Sequence, residues 1–139
     1  MNLEDVKQFL SQFHECVIAT VGVDMQPEAA TVGFSYDEDF KFMIASNKST
    51  RKAKNIEASN KVALVVGFDG PKTVQIEGEA QVVDKEGMLG RIELHFSKVP
   101  RAKDFESEEG QTYYLITPTW LKFTDYTKSP YTFETKDFS

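Results

Sequence analysis

Apolar residues recur along the chain at two spacings, and the places where the spacing changes divide it into elements. At the start, Leu3, Val6, Leu10 and Phe13 share one helical face, with Phe9 beside them, which predicts an amphipathic helix. Asn2 can cap it, and Asp5 suits the positive end of its dipole. The pattern then becomes strand-like. "CVIATVGV", "AATVGFSY" and "FKFMIAS", separated by the turns "DMQPE" and "DED", predict three strands in a meander. A short helix follows in "RKAKNIEAS", with Ala53 and Ile56 inward.

The strand "KVALVVGF" is almost wholly apolar, so it is expected to be central and buried on both faces. "TVQIEGEAQVV" sets Val74 and Ile76 on one face and Gln75 and Glu77 on the other, until Gly78 marks a bulge. "KEGMLGRIELHF" predicts a helix with Met88, Leu89, Ile92 and Phe96 inward, and "SKVPRAKDFESEEG" a charged loop. "QTYYLITP" and "TWLKFTDYT" complete the strands, and "KSPYTFETKDFS" reads as a tail. About seven strands with two or three helices, joined mainly by antiparallel connections, predict a mostly β fold. An antiparallel sheet of this size is most economical as a closed or split barrel, which leaves few exposed edges. The chain is read as one domain over residues 1–139.

Composition narrows the function classes. Hydrophobic residues at 40% and charged residues at 27% suit a globular protein with a real core. Cys16 is the single cysteine and opens an apolar run, so it is read as a small core residue in a reducing cytoplasm. The first ten residues are charged and amphipathic, unlike a signal peptide, and no apolar run is long enough to span a membrane. A net charge of −6 argues against general affinity for nucleic acid. His14 and His95 both lie in or beside amphipathic helices and are read as structural; neither is expected to be an exposed haem ligand.

The charge is unevenly spread. Residues 40–56 hold five cations (Lys41, Lys48, Arg51, Lys52 and Lys54) and no acid. Helix starts expose unpaired N–H groups and favour negative charge, so Arg51 and Lys52 in a first turn cost a few tenths of a kcal/mol each. An anion placed there reverses the sign of that cost. A phosphate would meet backbone N–H donors, the hydroxyls of Ser49 and Thr50, and two cations, the arginine gripping two oxygens at once.

Taken in order, strand "FKFMIAS", elbow "NKSTRKA", helix "KNIEAS", strand "NKVALVV" and "VQIEGEAQVV" resemble the pyridoxamine 5'-phosphate oxidase-like family of FMN-binding split barrels. The resemblance runs from "ATVGVDMQPEAATVGFSYDEDFKF" to about Val83 and lies in order and spacing rather than in one motif. It implies FMN bound at a homodimer interface. By that resemblance Arg51 and Lys52 hold the phosphate, assisted by Ser49 or Thr50. Ala45 and Ser46 would lie near the ring and ribityl chain, and Val32 would offer backbone contacts to the isoalloxazine edge. Thr73 and Gln75 stand where the family places polar flavin contacts, and Trp120 where it brings an aromatic over the neighbouring subunit's flavin.

The resemblance has a limit. The chain has no arginine after Arg101 and no histidine after His95, so the substrate grip of pyridoxamine phosphate oxidase itself is missing. The expectation is therefore an oxidoreductase passing electrons from reduced flavin to oxygen or a small organic acceptor. The alternatives are a deazaflavin-dependent reductase of the same fold, and a non-catalytic flavin-binding or stress-related protein.

Overall fold

The computed structural model describes residues 2–138. Helix α1 spans Leu3–Leu10, and the Asn2 side chain accepts the Glu4 amide at 2.9 Å. Strands β1 (Glu15–Val21) and β2 (Pro27–Gly33) form a hairpin, then β3 (Ser35–Tyr36) leads to β4 (Phe42–Asn47). Helix α2 (Arg51–Ala58) precedes β5 (Lys61–Val66) and β6 (Lys72–Val82). Helix α3 (Leu89–Lys98) and a 3-10 turn at Pro100–Phe105 lead to β7 (Gln111–Asp125) and β8 (Thr132–Asp137).

The strands pair antiparallel in the order β2-β1-β5-β6-β7-β4-β3, with β8 added to β7. The end strands β2 and β3 are consecutive in the chain, separated by Phe34 alone, so the sheet curls back on itself as a split barrel. The predicted fold class is thus the one observed. Inside lie Ile18, Phe34, Phe42, Ile44, Leu64, Ile76 and Leu121, with Val6, Phe9 and Leu10 of α1 closing one side. A second apolar cluster, Met43, Val83, Ile92, Phe96 and Tyr113, packs α3 onto the outer face of β4 and β7.

Several elements differ from the sequence expectation. The expected second strand is two strands: β2 pairs with β1, and only the two residues of β3 pair with β4, whose longer partner is β7. Alternation shows which face of a strand is buried but not which strand lies beside it. The two expected C-terminal strands are one 15-residue strand, which pairs with β4 through its first half and β8 through its second. The tail is strand β8, paired with β7 through the backbone ladder; its side chains are almost all exposed, so no apolar alternation announced it. Leu89 is 62% exposed, and His95 takes the inward position with Ile92 and Phe96. The expected bulge is present: the β6–β7 register shifts between Glu77 and Gly78. It lets Pro118, which has no N–H to give a ladder, stand opposite Gly78.

Strand β5 departs most tellingly. Val62, Leu64 and Val66 are buried, but Ala63 and Val65 remain half-exposed on the outer face. Val17, Ala19 and Val21 of β1 continue that apolar face.

Candidate functional site

The elbow between β4 and α2 is built on Asn47. Its side-chain oxygen accepts the Ser49 amide at 3.0 Å, and its carbonyl accepts the Thr50 amide at 3.0 Å and the Thr50 hydroxyl at 2.9 Å. Its amide nitrogen donates to Glu108 Oε1 at 3.1 Å and to the Glu109 carbonyl at 2.8 Å. The Lys48 amide donates to the Gly110 carbonyl at 2.8 Å. Part of the acidic loop that sequence reasoning left unanchored therefore braces the elbow.

Thr50 caps α2, its Oγ1 accepting the Ala53 amide at 3.3 Å, and Arg51 and Lys52 are the first two helical residues. The Arg51 and Lys52 amides are among those for which a helix start offers no internal acceptor. The Thr50 proton goes to Asn47 and the Ser46 hydroxyl lies 2.7 Å from Thr50 Oγ1, so both hydroxyls are engaged within the chain. Ser49 is exposed and is the hydroxyl best placed to meet a ligand.

A cleft of about 450 Å³ opens beside this elbow, walled by Ile18 and Thr20 of β1, Glu28 and Ala30 of β2, and residues 49–52. The register Thr20↔Glu28 and Ile18↔Ala30 puts these four side chains on one face of the hairpin. Arg51 donates from Nη2 to Glu28 Oε1 at 2.9 Å; the arginine side chain is 79% exposed and the glutamate 22%. Lys52 is half-buried, and burial holds its ammonium below the usual lysine pKa. No acid pairs with Lys52 among the described residues.

The other candidates lie elsewhere. Gln75 and Trp120 share a groove of about 190 Å³ on the outer face, with Val17, Ala63 and Val65. Thr73, on the same face of β6, donates its hydroxyl to the Val66 carbonyl at 3.2 Å. Val32 is buried in the main core on β2, a terminal strand of the pairing order. Ala45 faces the outer cluster under α3, opposite to Ser46. Within one chain the elbow cleft and the Gln75–Trp120 groove are walled by opposite faces of the sheet. Neither histidine lines the cleft. His95 is buried with Nδ1 2.7 Å from the Ser35 hydroxyl, and His14, contrary to expectation, is exposed.

Sequence reasoning missed Thr20 and Glu28. Alternation within "PEAATVG" places Glu28 on the face of Ala30 and Val32, but its meeting with Arg51 spans 23 residues and depends on how α2 docks. Among the described residues no group of His, Cys, Asp and Glu could hold a metal ion. No helix of the described residues is long and apolar enough to cross a membrane.

The antiparallel split barrel, with a cationic helix start beside a cleft, defines the fold class. The match of residues 3–125 to the pyridoxamine 5'-phosphate oxidase family model makes it specific: the chain belongs to that family. It is 26% identical, over 68% of its length and 69% of the relative's, to an F420H(2)-dependent biliverdin reductase of Mycobacterium tuberculosis. Its fold matches a pyridoxamine 5'-phosphate oxidase-related, FMN-binding protein of Nostoc punctiforme, with a TM-score of 0.69 at 12% identity over 97% of this chain and 91% of the other. It also matches a heme-binding protein of Mycobacterium smegmatis, with a TM-score of 0.81 at 11% identity over 96% of this chain. The chain spans 57% of that protein, and 50% of a matching Agrobacterium tumefaciens protein of unknown function.

Proposed function

We propose that the protein binds a phosphorylated flavin, FMN, with its phosphate at the elbow, and serves as an oxidoreductase. One observation carries this reading: Lys52 is half-buried in the cleft, its charged form disfavoured by burial, and no acid among the described residues compensates it. A buried ammonium without a counter-ion is costly, and a phosphate ester supplies the missing charge. The elbow fits such a group: Arg51 offers a two-pronged grip, Lys52 a point charge, Ser49 a hydroxyl, and the helix start its free amides.

The ring-side candidates fit the same reading in a homodimer. Val17, Ala19, Val21, Ala63 and Val65 leave an apolar strip half-exposed on the sheet, and a second copy would cover it. The groove of Gln75 and Trp120 runs along that strip, where a second chain could bring an elbow to it. Gln75 can both donate and accept toward a ring edge, and Trp120 offers a flat apolar face. When bound, a flavin supplies the hydride and electron chemistry, to oxygen or to an organic acceptor. The protein's part is then to anchor the phosphate, orient the ring and keep water from one face.

The F420-using relative favours a second reading in which the cofactor is a deazaflavin, whose phosphate would use the same elbow. Titrating the purified protein with FMN, riboflavin and F420 while following the visible spectrum and melting temperature decides among these. FMN binding tighter than riboflavin is expected. No response to either phosphorylated cofactor would sink the proposal. Turnover with reduced nicotinamide no faster than that of free flavin would reduce it to a flavin-binding module.

A further inference from the structure

Glu28 is the one acid lining the elbow cleft among the described residues, and it sits on the arginine that the ligand would use. Its carboxylate is the more buried partner of the pair, carried on the inward face of β2, while the guanidinium reaches in from the surface. Lys52, one residue on, has no such partner among the described residues. The two adjacent cations are therefore unequal: one already has a carboxylate partner within the chain and, among the described residues, the other has none.

We propose that Glu28 is an internal stand-in for the ligand's phosphate, and that ligand binding is an exchange of partners at Arg51. This rests on the reading of the elbow as a phosphate site and adds a selectivity device to it. In the free protein the guanidinium bonds Glu28 Oε1. A phosphate gripped through both terminal nitrogens takes the Nη2 donor from that oxygen and then lies near a carboxylate of its own sign. A small anion making one contact gains little by the exchange. A phosphate ester, engaging Arg51, Lys52 and the helix amides together, gains enough to displace Glu28. The acid thus sets the threshold that an anion must pass, and it acts on the phosphate end alone.

The opposite role predicts the opposite sign. If Glu28 instead held Arg51 ready for the ligand, removing its charge would weaken binding. The test measures dissociation constants of FMN, riboflavin and inorganic phosphate for wild type, Glu28→Gln, Arg51→Ala and the double variant, with melting temperature as the fold control. Glu28→Gln is expected to tighten FMN and inorganic phosphate roughly three- to tenfold and to leave riboflavin within about twofold. In the Arg51→Ala background the same substitution should give a distinctly smaller gain, because the exchange partner is gone. Unchanged or weaker FMN binding by Glu28→Gln, in a wild type that binds FMN, overturns the inference and leaves the cofactor reading standing. If wild type binds no FMN, that reading fails and inorganic phosphate decides the inference alone: tightening by Glu28→Gln retains it, and no tightening or no phosphate binding overturns it. Should Glu28→Gln lower the melting temperature sharply, Glu28→Asp, which withdraws the carboxylate by one methylene, should tighten FMN in the same direction, and weaker binding there counts against the exchange.

Discussion

Ser46 and Thr50 face one another across the elbow with their hydroxyl oxygens 2.7 Å apart, so the end of β4 and the cap of α2 are tied by one short bond. Because Thr50 also accepts the Ala53 amide and donates to the Asn47 carbonyl, its hydroxyl holds the helix start in place. Thr50→Ala should lower stability by about 1 kcal/mol, as loss of an N-cap does, and should weaken FMN binding through a frayed α2. Thr50→Ser should restore most of both. Urea unfolding with parallel flavin titration checks this; full stability in Thr50→Ala would show the cap to be dispensable.

Arg51 and Lys52 begin a helix with no acid in its first turn. Replacing Lys52 with Met removes a half-buried cation from the positive end of the dipole, and should raise the stability of the ligand-free protein by about 0.3–1 kcal/mol. The same change should reduce phosphate-dependent affinity. Arg51→Ala with Lys52→Ala should weaken FMN by at least about tenfold, from lost charge-assisted bonds, and riboflavin far less. Equal losses for the two ligands would mean that the elbow does not read phosphate.

His95 should make the protein acid-sensitive. Its burial, with Arg91 nearby, pushes its pKa down from 6.5 to about 4. Below pH 6.5 the unfolded chain takes up a proton that the folded one refuses, so stability falls as pH drops from 6.5 to about 4. Each unit of difference corresponds to about 1.4 kcal/mol, so the loss across the window is roughly 1–3 kcal/mol. His95→Gln should flatten the slope of unfolding free energy between pH 6.5 and 4, whatever its effect at neutral pH. An unchanged slope would assign the acid sensitivity to other groups.

The half-exposed outer face of β1 and β5 makes a prediction about assembly. Ala63 is half-exposed there and lines the groove that holds Gln75 and Trp120. Ala63→Glu would place a charge in the middle of the apolar strip. Sedimentation should show a dimeric wild type and a monomeric variant, with a fold unchanged by circular dichroism and flavin affinity reduced. A monomeric wild type that still binds flavin would remove the need for a second copy.

Much of this was legible in the chain because it is local. The α1 face and its Asn2 cap, the Gly78 bulge and the crowding of cations before α2 each need only a few neighbouring residues. So does the core face of β6, where alternation separates Val74 and Ile76 from Gln75 and Glu77. The order of these pieces identified the family from residues spread over half the chain.

Partner choice was not legible. Nothing in the first 60 residues says that β4 will pair with β7, or that the exposed, polar β8 will join the sheet. Strand pairing is settled by which arrangement closes the barrel over the common core, a property of all the strands at once. The apolar run of β5 reads as buried on both faces, yet one chain covers only one of them. The sequence by itself determined where the positive charge gathers and that a helix start carries it. The tertiary structure alone decided that Glu28 would reach Arg51, that Lys52 would go without an acid among the described residues, and that the hydroxyl of Thr50 would be engaged in the cap. These are contacts between segments far apart in the chain, and they form only when α2 docks beside the first hairpin.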